Sequence, residues 1–261
     1  MKKEETRIGD STVFEGMTSI SAILNGGADG VNDRHLLRVL VDADKRDARK
    51  KELAWLTHRA EESGFPIEYV DSSEIDAITT GSTHGGIVAE CSGRTIPPLS
   101  KDGIKPNGFY VMLEGIEDPY NFGYAIRSLY ACGADGIVLS PRNWMSAGGV
   151  VCRSSAGASE KMPVYESEPV KAAELFREAG YKIACAGIRN SVSSFEANLK
   201  KPLFLVVGGE KRGISSSLLD MADEIVRIDY GREFSGSLSA ASAATVLGYE
   251  VMRQNTFVSL Q

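Results

Sequence analysis

Apolar and polar positions change period repeatedly along the chain. HLLRVLVDA (35–43) is an apolar run of strand length, whereas ELAWLTHRAEESG (52–64) places Leu53, Leu56 and Ala60 on one helical face and stops at Gly64. PIEYVD (66–71) predicts a second short strand. SSEIDAITTG (72–81) predicts a short helix capped by Ser72 or Ser73, and HGGIVAEC (84–91) a return to strand. Together these alternations predict a compact α/β unit over residues 1–91. The next stretch, 92–107, is rich in proline, glycine and polar residues and predicts a linker.

Strand and helix patterns resume at residue 108 and continue to 261. FYVMLEGI, GIVLSP, PVYE, YKIACAGI, PLFLVVGGE and EIVRID are short apolar runs, separated by helical stretches such as NFGYAIRSLYACG, a helix from about Val150, and VKAAELFREAG. Buried-looking strands alternating with helices predict a parallel sheet covered on both faces. In such sheets ligands sit beyond the carboxyl ends of the strands. The segments to inspect are therefore EDPYNFGYAIR, CAGI, GGEKRG and DYGREFSGSLS. The last helical stretch begins with almost nothing but small side chains, SGSLSAASAA, which suits close approach of a ligand, a backbone or another subunit better than ordinary core packing.

Composition narrows the class. A chain of 261 residues with 43% apolar positions is that of a globular protein of one or two domains. No apolar run is long enough for a membrane span and the first residues lack a signal-peptide core, so a cytoplasmic protein is expected. The net charge of −6 lacks the overall basic footprint of nucleic-acid binders. KRDARKK (45–51) is the densest basic run and the best local candidate for phosphate contact, against the plainer expectation of a solvated helix start.

Four scattered cysteines and three scattered histidines give no metal-ligand spacing and no disulfide framework, so no metal site is expected. The turn EGIEDPYN lacks the GxGxxG spacing of a dinucleotide site, and GGEKRGIS lacks the GK[ST] ending of a P-loop.

Three segments in order, NFGYAIR (121–127), GGEKRG (208–213) and SLSAASA (237–243), resemble the SpoU (TrmH-like) branch of the SPOUT RNA methyltransferases. That branch carries N-x-G-x-x-x-R at a helix start, G-x-E-x-x-G after an apolar strand and S-L-N-x-x-x-A in a terminal helix. The resemblance covers residues 108 to 254. The first 90 residues also resemble the ribosomal-protein-like substrate domain found in front of some members.

It implies an α/β fold with a parallel-sheet SPOUT methyltransferase domain and a carboxyl-terminal trefoil knot. It further implies S-adenosylmethionine as cofactor, a homodimer, and methylation of a ribose 2′-hydroxyl in ribosomal or transfer RNA, with the front domain favouring ribosomal RNA. Carried over residue by residue, it makes Arg127, Asn121, Glu210, Ser237 and Ser239 the catalytic candidates. Ala186, Gly187, Gly208, Gly209, Ile228 and Leu238 become the cofactor-binding ones.

Arg127 is expected to act electrostatically on phosphate and a developing alkoxide, because a guanidinium is not normally deprotonated in proteins. Asn121 also suits a helix N-cap, Glu210 would orient an arginine, and Gly208 and Gly209 would let backbone approach the ligand. The chain departs from the pattern at Ser239, where the family usually has Asn, and at Asp229 and Tyr230, where many relatives have Pro and Met. Those departures keep open a catalytically weakened RNA-binding or assembly protein on the same fold. A small-molecule methyltransferase or an α/β dehydrogenase is a further alternative.

Overall fold

The computed structural model describes residues 12–79, 84–141, 148–209 and 211–256. They form two compact units, Met1–Thr95 with Met145–Lys161, and Ile96–Trp144 with Met162–Gln261. No described helix is long and apolar enough to cross a membrane.

In the first unit, β1 (Val13–Glu15), β2 (Leu36–Asp42), β3 (Ile67–Val70) and β4 (Ile87–Cys91) form a sheet in the order β1-β4-β2-β3. β4 runs antiparallel to β1 and β2, while β2 and β3 are parallel and joined by α2 (Lys50–Ser63). α1 (Gly16–Ala28) and α2 bury Ile20, Ile23, Leu53 and Leu56 with Phe14, Val39 and Val41 of the sheet. Gly64 ends α2 in the left-handed region at φ 78°, a conformation glycine adopts without a Cβ penalty, and its N–H donates to Ala60 O at 2.8 Å. The short helix α3 (Ser72–Ile78) starts one or two residues earlier than a cap at Ser72 or Ser73 would place it. Asp71 occupies its N-cap position, so Ser72 and Ser73 lie inside the first turn, and no side chain caps it.

Two short helices, α5 (Gly148–Ser154) and α6 (Ala158–Lys161), also pack in this first unit, although the expected boundaries assign them to 108–261. Close approach and buried charge account for their place. A Cβ on Gly149 would lie 2.3 Å from Val13 O, and one on Gly157 2.4 Å from the Ala22 Cβ. Arg34 meets Glu160 at 3.3 Å with both side chains fully enclosed, Asn32 Nδ2 donates to Glu160 O at 2.7 Å, and Arg94 donates to Ser159 O at 2.7 Å. Buried charges of this kind persist only when paired and hydrogen-bonded.

The stretch expected as a linker is ordered and divided between the units. Arg94 is buried in the first, while Leu99 and Ile104 join the core of the second.

The second unit holds seven described strands in the order β7-β6-β5-β10-β8-β11-β9, all parallel. They are β5 (Phe109–Glu114), β6 (Gly136–Leu139), β7 (Val164–Glu166), β8 (Lys182–Ala186), β9 (Val192–Ser193), β10 (Leu203–Gly208) and β11 (Glu224–Arg227). Six of them fall in the apolar runs read from the sequence. β9 was not anticipated, since two residues at a sheet edge carry no period.

The middle strands are buried on both faces, as a covered parallel sheet requires. One face packs Tyr110, Met112, Cys185 and Phe204 against α7 (Pro169–Glu178), where Phe176 stacks on Phe204 at 4.1 Å between centroids. α9 (Ala240–Thr256) packs on β10 and along α4 (Pro119–Ala131). The small residues of α9 are used there: Ala240, Ala241, Ala244 and Gly248 are buried, and a Cβ on Gly248 would press on Leu129 Cδ2 at 3.0 Å.

Candidate functional site

β8, β10 and β11 end side by side in the middle of the parallel sheet, and the segments that leave them enclose a cavity of about 910 Å³. Its size lies in the upper part of the range for small-molecule sites, roughly 300–1,000 Å³. Ala186 and Gly187 leave β8, Gly208 and Gly209 leave β10, Ile228 leaves β11, and Leu238 precedes α9; all six line the cavity, together with Ser237. The structure therefore brings together every position expected to hold a cofactor.

Three of these positions are glycine because the chain approaches itself. A Cβ on Gly209 would lie 2.0 Å from Gly115 O, one on Gly208 2.5 Å from Gly213 C, and one on Gly187 2.9 Å from Ile225 Cγ2. The sequence reading has Gly208 and Gly209 let backbone approach a ligand. Their immediate neighbours are Gly213 and Ile225 of the same wall and Gly115 of an adjoining cleft, which fix the backbone there. Gly213 N–H donates to Gly209 O at 2.9 Å and closes the GGEKRG turn. Glu210, at the centre of that turn, lies outside the described residues.

The wall is mixed in chemistry. Val207, Ile214, Leu219, Ile228 and Leu238 provide apolar surface, while Arg189, Arg212, Asp220, Arg227 and Asp229 provide charge. Asp229 accepts from the Ser193 hydroxyl and from Arg227 Nε at 2.8 Å, and these two hydrogen bonds, the first the larger influence, hold its carboxyl below the ordinary value. Arg227 also donates to Ser191 O at 2.7 Å, so the pair ties β11 to the segment around β9. Cys185, the residue before Ala186 on β8, packs in the core, where burial pushes its thiol up to about 12 and leaves little thiolate for nucleophilic work at neutral pH.

The catalytic candidates divide. Asn121 is at the third position of α4 and lines a small adjoining cleft of about 140 Å³ with Gly115, Glu117, Asp118, Lys211 and Ala240. It does not cap α4. Asp118 does, accepting from the N–H groups of Tyr120 and Asn121, and Pro119 at the first helical position fixes the start one residue after Asp118. Arg127 lies six residues beyond Asn121, about 9 Å along the helix; it is exposed and lines neither cavity of its own chain. Ser239 accepts the Ser242 N–H at 3.2 Å, and its hydroxyl lies 3.0 Å from that of Ser242, so it caps α9.

Residues that sequence reasoning missed at the cavity are Arg189, Arg212, Asp220 and Phe234. The DYGREFSGSLS segment follows a strand, but nothing in its sequence singles out Phe234.

In the first unit the expected basic run is largely neutralised by its own neighbours. Lys45 pairs with Asp42, Arg49 with Glu52 and Lys50 with Asp47, and Arg46 lies 4.9 Å from the Tyr69 ring centroid. Lys51 instead lines an open depression of about 540 Å³ between α1 and α2, beside Asn25 and Trp55.

Residues 108–249 match the model of the SpoU rRNA Methylase family, and residues 15–97 match that of the RNA 2′-O ribose methyltransferase substrate binding domain. A Bacillus subtilis protein whose name places it in the TrmH family of tRNA/rRNA methyltransferases is 30% identical, over 75% of this chain and 80% of its own. An uncharacterized tRNA/rRNA methyltransferase of Synechocystis is 28% identical over 86% of this chain, which spans 59% of that protein. Among solved structures, the SpoU methyltransferase AviRb of Streptomyces viridochromogenes, in complex with AdoMet, superposes with a TM-score of 0.78 at 21% identity, over 93% of this chain and 89% of that one.

Proposed function

Because the chain belongs to the SpoU rRNA methylase family, we propose that it transfers a methyl group from S-adenosylmethionine to a ribose 2′-hydroxyl of RNA, ribosomal rather than transfer RNA. The observation that carries this reading is the convergence of Ala186, Gly187, Gly208, Gly209, Ile228 and Leu238 on one cavity at the carboxyl ends of β8, β10 and β11. The donor fits that wall: Ile228, Leu238 and Leu219 offer apolar surface to an adenine, and the cavity has room for a ligand of its size. When bound, the donor supplies an electrophilic methyl on a sulfonium. In this reading the terminal segment also threads a loop as the trefoil knot of the family.

The remaining chemistry belongs to the chain's own residues. A ribose hydroxyl must be held in line with the methyl and must lose its proton as the new bond forms, so position and charge stabilisation dominate. Arg127 stays cationic and stabilises the developing alkoxide, while the proton leaves to water or phosphate. As Arg127 lines neither cavity of its own chain, it serves the site of a second copy. The surface that joins the copies is the outer face of α4 and α9, where Tyr120, Tyr124, Val246 and Tyr249 are exposed. RNA is gathered by the first unit, with Lys51 and Trp55 at its open depression.

Calorimetry with S-adenosylmethionine and labelled-methyl incorporation into ribosomal RNA test this reading. Wild type binds the donor and methylates. Arg127→Ala binds the donor equally and loses roughly 10²–10³ in rate, the size of one transition-state charge interaction. Mixing Arg127→Ala with Leu238→Glu, which blocks the cavity, restores methyl transfer well above the level of either variant alone. A chain that takes up no donor refutes the assignment.

A further inference from the structure

The segment that joins β11 to α9 holds an aromatic ring in a fixed place at the cavity. Leu238 N–H donates to the Tyr230 hydroxyl at 3.2 Å, which closes residues 230–238 into a loop. Inside it, the Tyr230 and Phe234 rings meet edge to face at 5.7 Å between centroids and 61°. Gly236 backs the Phe234 ring, and a Cβ there would lie 2.6 Å from Cζ. Phe234 is thus braced on two sides yet remains 58% exposed among the residues lining the cavity.

An exposed phenylalanine alone means little; one braced by a hydroxyl latch and a glycine is a rigid flat surface. Cations accompany it. Arg189 and Arg212 line the same cavity and are exposed, and neither forms an ion pair with a described residue. The third lining arginine, Arg227, and Asp229 cancel one another, which leaves Asp220 as the remaining carboxylate of the described wall.

We propose that Phe234 is a stacking platform for an unpaired base of the RNA, with Arg189 and Arg212 holding the phosphates beside it. This rests on the reading of the cavity given above. Every base has a π face, so a platform of this kind takes a nucleotide without regard to sequence. Arginine forks suit phosphate oxygens. A duplex offers its 2′-hydroxyls on a broad, shallow groove, whereas an unstacked nucleotide of a single-stranded loop can be splayed into a recess with its base on an aromatic ring. Platform and cations together recognise a single strand and reject a duplex.

The test uses the full chain saturated with S-adenosylmethionine, a single-stranded oligoribonucleotide and its duplex. Phe234→Ala weakens binding of the single strand about fivefold or more, leaves the duplex unaffected, and keeps donor affinity within about twofold. Phe234→Trp restores binding, and its fluorescence is quenched by the oligonucleotide. Arg189→Ala with Arg212→Ala lowers the dependence of log K on log salt by about 0.7 for each phosphate that is no longer neutralised.

The proposal is overturned if Phe234→Ala leaves single-strand binding unchanged, or costs donor affinity equally, or changes the oligomeric state in sedimentation. The last result would make this face a subunit interface. Absent donor uptake by the wild type sinks the methyltransferase reading itself. Intact donor and RNA binding with an indifferent Phe234→Ala sinks the platform alone.

Discussion

Gly209 and Gly115 stand so close that a Cβ on the first would lie 2.0 Å from the carbonyl oxygen of the second. The two residues follow the paired strands β10 and β5, and Gly209 N–H also donates to Glu114 O. Backbone cannot yield as the end of a side chain can, so Gly209→Ala should cost about 1–3 kcal/mol in urea unfolding and weaken donor binding. Gly231→Ala, whose Cβ meets open space, serves as control and should stay within about 0.5 kcal/mol.

Ser239 stands where the resembled S-L-N-x-x-x-A pattern has Asn, and both are good N-caps. Ser239→Ala removes the acceptor for Ser242 N–H and should cost roughly 0.5–2 kcal/mol, seen as faster hydrogen exchange in the first turn of α9. Ser239→Asn should preserve the cap. Methyl transfer by Ser239→Asn below that of wild type would show that the serine is matched to this chain's own substrate geometry.

Arg34 and Glu160 form an ion pair with both side chains wholly enclosed. Glu160→Ala strands the guanidinium, and a loss of about 3–5 kcal/mol in denaturant unfolding followed by circular dichroism is expected. Arg34→Met combined with Glu160→Leu should recover most of it, because the penalty comes from an unmatched charge rather than from the missing attraction.

Asp229 gives the cavity wall a dependence on pH. Its carboxyl titrates below the ordinary 3.8 in the folded chain, so its contribution to stability is complete above that value and lost as the pH falls through the lower, folded one. The gap in denaturant midpoint between wild type and Asp229→Asn should therefore be open at pH 7 and close on acidification below 3.8. A gap indifferent to acid would mean that the carboxylate charge is not what binds Ser193 and Arg227.

The strands and the cavity wall were legible in the sequence because one simple signal served both. Runs such as FYVMLEGI and PLFLVVGGE are apolar without alternation, and the residues just after such runs are where a parallel sheet places its ligands. What was not legible depends on which partner each residue meets, near or far along the chain. Asn121 looked like a cap until Asp118, three residues earlier, proved better placed beside Pro119. The partnership of Glu160 with Arg34 joins residues 126 positions apart and leaves no local pattern. Phe234 reads as one more loop aromatic, and only the Tyr230 latch and Gly236 behind the ring distinguish it.

The excursion of residues 145–161 into the first unit means that the chain enters and leaves that unit more than once. A single splice after Thr95 cannot excise or exchange the front module cleanly, since the remainder would carry Glu160 without Arg34 and Gly149 without Val13. Modular shuffling of this front module would have to move two separate pieces of gene together, so it is more readily inherited as a whole than traded.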